Sequence, residues 1–219
     1  MTDWKKRILK ADTVHKQPII LELCKGKSVL DVGCVGQDLD PSSDSWLHAR
    51  IKKTAALTVG CDINLEGIKQ LNALGMNIIT PEQLTEKGEL FDVIVMGDVI
   101  EHVNDPGAFL QFYSSFLNEN GTIIVCTPNS FGIRYVLQVL FYGKPSTNSE
   151  HTLFLDPFVM LEMIQRIQLR PVDFKWLYEY QKPKNIKQRI IYAMSACWIA
   201  IRRYFRPNFM MVLEKIPNA

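Results

Sequence analysis

The run Val29-Leu30-Asp31-Val32-Gly33-Cys34-Val35-Gly36-Gln37 constrains this chain more than any other stretch, because an apolar segment stops abruptly at two glycines. With no polar alternation, it reads as a strand buried on both faces of a parallel sheet. The glycines read as a tight turn where another group approaches the backbone closely. A strand that ends this way forms the mouth of nucleotide-type pockets in open α/β sheets. The spacing is Gly-x-x-Gly, which fails the Gly-x-Gly-x-x-Gly dinucleotide fingerprint. Taken alone, the run fits an ordinary strand-to-helix turn equally well.

Two further runs tip that balance. Leu57-Thr58-Val59-Gly60-Cys61-Asp62 is a second short apolar segment, and it ends in an acid. A carboxylate at such a strand end can accept both hydroxyls of a ribose. The third run, Phe91 to Val103, closes on Gly97-Asp98-Val99-Ile100-Glu101-His102. Together the three segments resemble the class I S-adenosylmethionine-dependent methyltransferases. The Glu101-His102 pair resembles the branch that includes the ubiquinone-biosynthesis O-methyltransferases. The resemblance covers roughly residues 25 to 130 and departs at one point. The family's Gly-Cys-Gly-x-Gly loop has Val35 in place of its middle glycine and Gln37 in place of its last.

The resemblance implies a Rossmann-like methyltransferase fold, a doubly wound α/β architecture with a seven-stranded, mostly parallel sheet and helical lid insertions. The pattern itself supports alternating strands and helices. Strands are expected near 29–32, 57–61, 76–79, 91–97, 122–126, 172–178 and 209–214. Asn64 reads as a helix N-cap with Leu65, Ile68, Leu71 and Leu74 inward, and Ser43 or Asp44 as the cap of the preceding helix. Asp105-Pro106 and Asp156-Pro157 read as helix starts, the first helix ending at Asn120-Gly121. The expected organisation is one domain over 1–219. Within it fall an N-terminal helical cap over 1–24, an acceptor-side lid over 131–155 and a basic, apolar helical insertion over 181–206.

The resemblance assigns S-adenosyl-L-methionine as cofactor and suggests its contacts. Gly33 and Gly36 supply the backbone turn, and Asp31 would engage the amino group directly or through water. Asp62 would take the ribose hydroxyls with Ile63 beside it, and Glu82 would reach the adenine. Gly97 and Asp98 would border the methionyl end. Because the cofactor carries the reactive methyl group, the protein's task is to position it and to deprotonate the acceptor. His102 is the candidate general base, since imidazole titrates at about 6.5, with Glu101 as its orienting partner. The bland alternative is that the pair bonds to the exit of the strand at 122–126. His151 enters the acceptor pocket if its polar loop folds over the sheet's carboxyl edge. A divalent metal is associated with this region in the resembling enzymes, but one Glu-His pair is not a metal site by spacing, so no ligands are assigned.

Charge argues against a nucleic-acid partner, because the net value is only +2. It is unevenly distributed. From Gln181 to Leu213 there are seven basic residues and no acid, leaving the remainder at −5. Within that stretch, the apolar segment Ile190 to Ile201 is too short to span a bilayer, which needs about 20 residues. Its aromatics and flanking cations suit a helix lying in an anionic membrane surface. A small-molecule or lipid-linked acceptor follows, with peripheral membrane contact; packing on the domain is the equal alternative. The five cysteines contain no Cys-x-x-Cys, and no apolar stretch follows Met1–Arg7, so a cytoplasmic protein with reduced thiols is expected, membrane-associated if the insertion meets lipid. Two rivals stand beside the O-methyltransferase reading: a non-catalytic cofactor-binding relative, and an NAD-binding oxidoreductase, which the missing glycine disfavours.

Overall fold

The computed structural model describes residues 2–36, 41, 43, 45–145, 148–178 and 183–216. Gln37 and Asp44 lie outside the described residues. The chain opens with helix α1 (Thr2–Lys10), strand β1 (Thr13–Val14) and helix α2 (Lys16–Cys24). Then come β2 (Ser28–Val32), α3 (Leu47–Thr54), β3 (Leu57–Cys61), α4 (Leu65–Ala73), β4 (Ile78–Ile79) and α5 (Pro81–Lys87). The second half holds β5 (Phe91–Gly97), α6 (Pro106–Ser114), β6 (Leu117–Pro128), α7 (Ile133–Tyr142), α8 (Pro157–Arg166), β7 (Leu169–Leu177), α9 (Ile186–Ile201) and β8 (Asn208–Lys215).

One eight-stranded sheet carries these elements in the order β1-β7-β8-β6-β5-β2-β3-β4. All pairings are parallel except those of β8, which runs antiparallel to both β6 and β7. The sheet is doubly wound because its strands are apolar at successive positions. Leu30, Ile94, Met96, Ile123 and Val125 face a core completed by Leu110 of α6 and Leu161 and Ile164 of α8. Their neighbours Val29, Val93, Val95 and Ile124 face the opposite side, where Ile20 of α2 and Ile51 of α3 close over them. Each such side chain contributes roughly 1.5–3 kcal/mol by leaving water.

The expected seven strands are joined by an eighth. The segment Trp4–Leu23 is not purely helical, because the β-branched pair Thr13-Val14 docks beside β7 and becomes the edge of the sheet, with Tyr178 N–H donating to the Val14 carbonyl at 2.9 Å. The Asp105 and Asp156 caps form as expected, accepting from Ala108 N–H and from Phe158 and Val159 N–H respectively. Asn64 likewise accepts from Gly67 N–H. Other boundaries move. Helix α6 stops at Ser114 and Asn120-Gly121 falls inside β6, because Phe91 N–H bonds the Phe116 carbonyl and draws the chain into the ladder early. Leu65 and Leu74 are exposed, since α4 packs at the thin β4 edge through Gly67, Ile68 and Leu71. Among the described residues no side chain caps α3; Ser43 Oγ instead accepts from Ser45 N–H at 3.2 Å.

The sheet order places the crossover reversal between β2 and β5, the position at which open α/β sheets bind ligands. The turns after β2, β3 and β5 converge there.

Candidate active site

A cavity of about 380 Å³ opens at this reversal point, lined by Gly33, Val35 and Gly36 of the turn, by Asp62 and Ile63 beyond β3, by Asp98, Val99, His102 and Val103 beyond β5, and by Phe109 and Tyr113 of α6. The turn is fixed by packing as well as by backbone freedom. Gly33 has a φ of +71°, and a Cβ there would lie 2.7 Å from Val99 Cγ2, so only glycine fits. Gly36 is different, because a Cβ would meet nothing within 4 Å, and its backbone faces open space at the cavity wall. The family departure at Val35 is absorbed on the far side of the turn. A Cβ on Gly67 of α4 would lie 2.3 Å from Val35 Cγ1, so Val35 packs into a notch that exists only because residue 67 is glycine.

Asp62 is the hinge of this wall. One carboxylate oxygen accepts the Val35 N–H at 2.8 Å and the other accepts the Asn64 N–H at 3.0 Å. Each oxygen keeps a second lone pair, so the carboxylate can take two hydroxyls while tying the glycine turn to the start of α4. Asp31 sits elsewhere. It is buried below the turn and pairs with the buried His48 at 2.9 Å, and it does not line the cavity. Glu82 is exposed on the first turn of α5, and Gly97 faces Leu47 and Lys16 on the other side of β5; neither lines the cavity.

Asp98, the residue after β5, lies in the left-handed region, with a φ of 63°, a conformation that costs a non-glycine residue roughly 1–2 kcal/mol. Lys16, from the first turn of α2, forms an ion pair with its carboxylate. Burial works to lower the Lys16 pKa, yet it stands above its ordinary value because Asp98, with Cys126 and Glu101 beyond, favours the ammonium. Sequence reasoning missed Lys16, whose place before β2 carries no spacing signal. It also missed Tyr113, whose hydroxyl lies 3.6 Å from Cys61 Sγ and whose pKa is pushed far up by burial.

The Glu101-His102 pair and His151 come together. His102 lines the cavity, and the His151 ring stands edge-on to it at 4.7 Å. The loop carrying His151 is drawn in by Thr152, whose N–H and hydroxyl both bond the Glu101 carbonyl, at 2.9 and 3.2 Å. The Glu101 carboxylate is 1% exposed and accepts from Thr127 Oγ1 at 3.1 Å, so the bond to the exit of the strand, here β6, is present. Burial, reinforced by Asp98, raises its pKa to about 7. Burial also lowers the His151 pKa, as does His102. Ligand-type atoms of Glu101, His102 and His151 lie within 4.8 Å of one another, and the buried His151 Nδ1 has no hydrogen-bond partner among the described residues. That donor set of two imidazoles and a carboxylate suits a divalent cation.

A family model described as a methyltransferase domain matches residues 7–187. The ubiquinone biosynthesis O-methyltransferase of Dinoroseobacter shibae is 31% identical over 169 residues, covering 69% of this chain and 63% of its own length. That of Cereibacter sphaeroides is 29% identical over 164 residues, with 69% and 63% covered. The chain thus spans less than two thirds of the length of these relatives. Among solved structures, a SAM-dependent methyltransferase from Archaeoglobus fulgidus superposes with a TM-score of 0.61 at 17% identity, covering 90% of both chains, a likeness of fold.

Proposed function

The chain belongs to the methyltransferase-domain family, and on that premise we propose that it is an S-adenosylmethionine-dependent methyltransferase that methylates the hydroxyl of a small, lipophilic or lipid- or sugar-linked acceptor. The observation that carries this reading is Asp62. It presents two free lone pairs at the sheet's reversal point, beside a glycine turn that its own carboxylate holds in place.

The residues present fit such a cofactor. Gly36 leaves backbone accessible, Asp62 would hold the ribose, Ile63 would lie along the adenosine, and Asp98 would border the methionyl end across from Gly33. When bound, S-adenosylmethionine supplies an electrophilic methyl group for in-line displacement. His102, on the cavity wall, would remove the acceptor's hydroxyl proton. His151 is held beside it, and burial together with His102 lowers its pKa. Glu101 lies behind both, buried and anchored to Thr127, with its pKa raised to about 7 by burial. If a divalent cation is instead held by Glu101, His102 and His151, polarisation of the acceptor oxygen by the cation would replace proton removal by His102.

The similarity to enzymes named for ubiquinone biosynthesis supports a lipophilic hydroxyl acceptor. The basic insertion over 181–206 would bring the protein to a membrane surface carrying such a molecule. Among the described residues, no helix is long and apolar enough to cross a membrane.

The test is calorimetric titration with S-adenosylhomocysteine, repeated on Asp62→Ala, followed by methyl-transfer assays on lipophilic phenols and glycolipids. Binding by the wild type, its loss in the variant, and turnover on one acceptor class are expected. No binding by the wild type overturns the reading, and binding without turnover on any acceptor marks a non-catalytic relative.

A further inference from the structure

The peptide unit between Cys34 and Val35 is held at both ends, by residues from different parts of the chain. On one side the Val35 N–H donates to an Asp62 carboxylate oxygen at 2.8 Å. On the other the Cys34 carbonyl accepts the indole Nε1–H of Trp46 at 3.0 Å. A peptide unit is planar, so its C=O and N–H point in opposite directions and turn together. The bond to Trp46 therefore sets the direction in which the Val35 N–H reaches Asp62. Just before this unit, the Gly33 N–H donates to the Cys61 carbonyl at 2.8 Å, tying the start of the turn to β3.

Trp46 is itself anchored from three directions. Its partly buried ring packs against the cluster of Cys34, Ile68, Leu71 and Ile78, as Val35 does. The His48 ring lies 5.3 Å from it between centres, and His48 is fixed in turn by the buried Asp31. The Ser45 carbonyl accepts from Gln17 Nε2 of α2 at 2.7 Å, and Arg50 of α3 donates to Gln17 Oε1. Gln17 is the neighbour of Lys16, so one turn of α2 holds both the Trp46 segment and Asp98.

We propose that Trp46 is a positioning residue for the candidate cofactor site: by holding the Cys34 carbonyl it aims the Val35 N–H at Asp62, and so fixes the carboxylate that takes the ribose. The inference rests on the assignment of Asp62 to the ribose. Trp46 does not line the cavity, so it acts through Asp62 and not by contact with a ligand. With the Val35 N–H turned away, the carboxylate would keep only its bond to the Asn64 N–H and could rotate. The departure at Val35 serves the same end. A flip of the Cys34–Val35 unit would drive φ at residue 35 positive, which glycine accepts and a β-branched valine resists. Val35 and Trp46 thus lock one peptide that a glycine would leave free to turn.

Two readouts on the full chain separate this role from simple packing. The first needs no ligand. It is hydrogen exchange of the Val35 amide by NMR, in the wild type, in Trp46→Phe, and in protein carrying benzothienylalanine at position 46, which keeps the bicyclic shape and lacks the N–H. The second is calorimetric titration with S-adenosylhomocysteine in a double-mutant cycle of Trp46→Phe with Asp62→Asn. The Val35 amide should exchange at least tenfold faster in both position-46 variants, and their S-adenosylhomocysteine affinity should fall about tenfold. In the Asp62→Asn background Trp46→Phe should cost less than twofold. Ile78→Val thins the same apolar cluster without touching the bond, and should lower the melting temperature while leaving both readouts at wild-type values. Wild-type exchange of the Val35 amide in both variants overturns the proposal, as does a tenfold loss that persists in the Asp62→Asn background. Absence of S-adenosylhomocysteine binding by the wild type would instead sink the cofactor reading, and the amide measurement would still decide whether Trp46 aims the Val35 N–H.

Discussion

The Lys16 ammonium is ion-paired with the Asp98 carboxylate, joining the first turn of the second helix to the left-handed residue that follows β5. The two are 82 residues apart in sequence, and their contact fixes the direction in which Asp98 enters the cavity.

Replacing that lysine tests the contact. Lys16→Met should cost the fold no more than about 1 kcal/mol, because Asp98 is half exposed and water screens the pair. It should weaken S-adenosylhomocysteine binding about tenfold, as Asp98 loses its orientation. Lys16→Arg should restore most of the affinity. Titration calorimetry beside thermal melts reads both quantities, and unchanged affinity in Lys16→Met would show the pair to be a surface bridge only.

A change at Asp62 separates binding from folding. Asp62→Asn keeps one acceptor oxygen for a backbone N–H and should lose ligand affinity at least tenfold while melting close to wild type. Asp62→Ala frees the Val35 and Asn64 N–H groups together and should also destabilise by roughly 1–3 kcal/mol. Equal melting temperatures for the two variants would contradict the double role.

The notch at Gly67 makes a sign prediction. In an ordinary helix Gly→Ala stabilises by about 1 kcal/mol. Here the added methyl would lie 2.3 Å from Val35 Cγ1, so Gly67→Ala should destabilise by roughly 1–3 kcal/mol. Val35→Ala should rescue it. A double-mutant cycle by urea denaturation that finds the two changes additive would dismiss the coupling.

Glu101 gives stability a pH dependence. Its pKa is raised from 4.5 to about 7 in the folded protein. The folded state therefore binds this proton more tightly than the unfolded chain does. Its contribution is present in full below about pH 4.5 and is lost as pH rises through 7, a change of up to ~3 kcal/mol. In metal-free protein, Glu101→Gln should flatten that decline. Millimolar magnesium or manganese should move it to lower pH in the wild type by favouring the carboxylate. Parallel curves for wild type and variant would refute the assignment.

The paired buried groups Asp31 and His48 predict a structural effect without a binding one. His48→Leu leaves a buried carboxylate unpaired and should cost roughly 3–5 kcal/mol. Whatever folds should still bind S-adenosylhomocysteine with an affinity near wild type, since neither residue lines the cavity. A loss of affinity exceeding the loss of folded protein would return Asp31 to the ligand's neighbourhood.

Much of this molecule was legible along the chain because its signals are local. Unbroken apolar runs specify strands buried on both faces, Asp-Pro and Asn caps set three helix starts, and a glycine directly after an apolar run marks the tight turn where residue 33 takes a positive φ. The short strand Thr13-Val14 was not legible, because two residues carry no period and exist as a strand only when a distant edge receives them. The same holds for the site. Its strand-end residues Gly33, Asp62, Asp98 and His102 could be named in advance, since every strand of a parallel sheet delivers its exit to one edge. What occupies Asp31, what holds Asp98 and what stands against His102 were decided by His48, Lys16 and His151. Those partners lie 17, 82 and 49 positions away, and only the packing of helices and loops over the sheet brings them within reach.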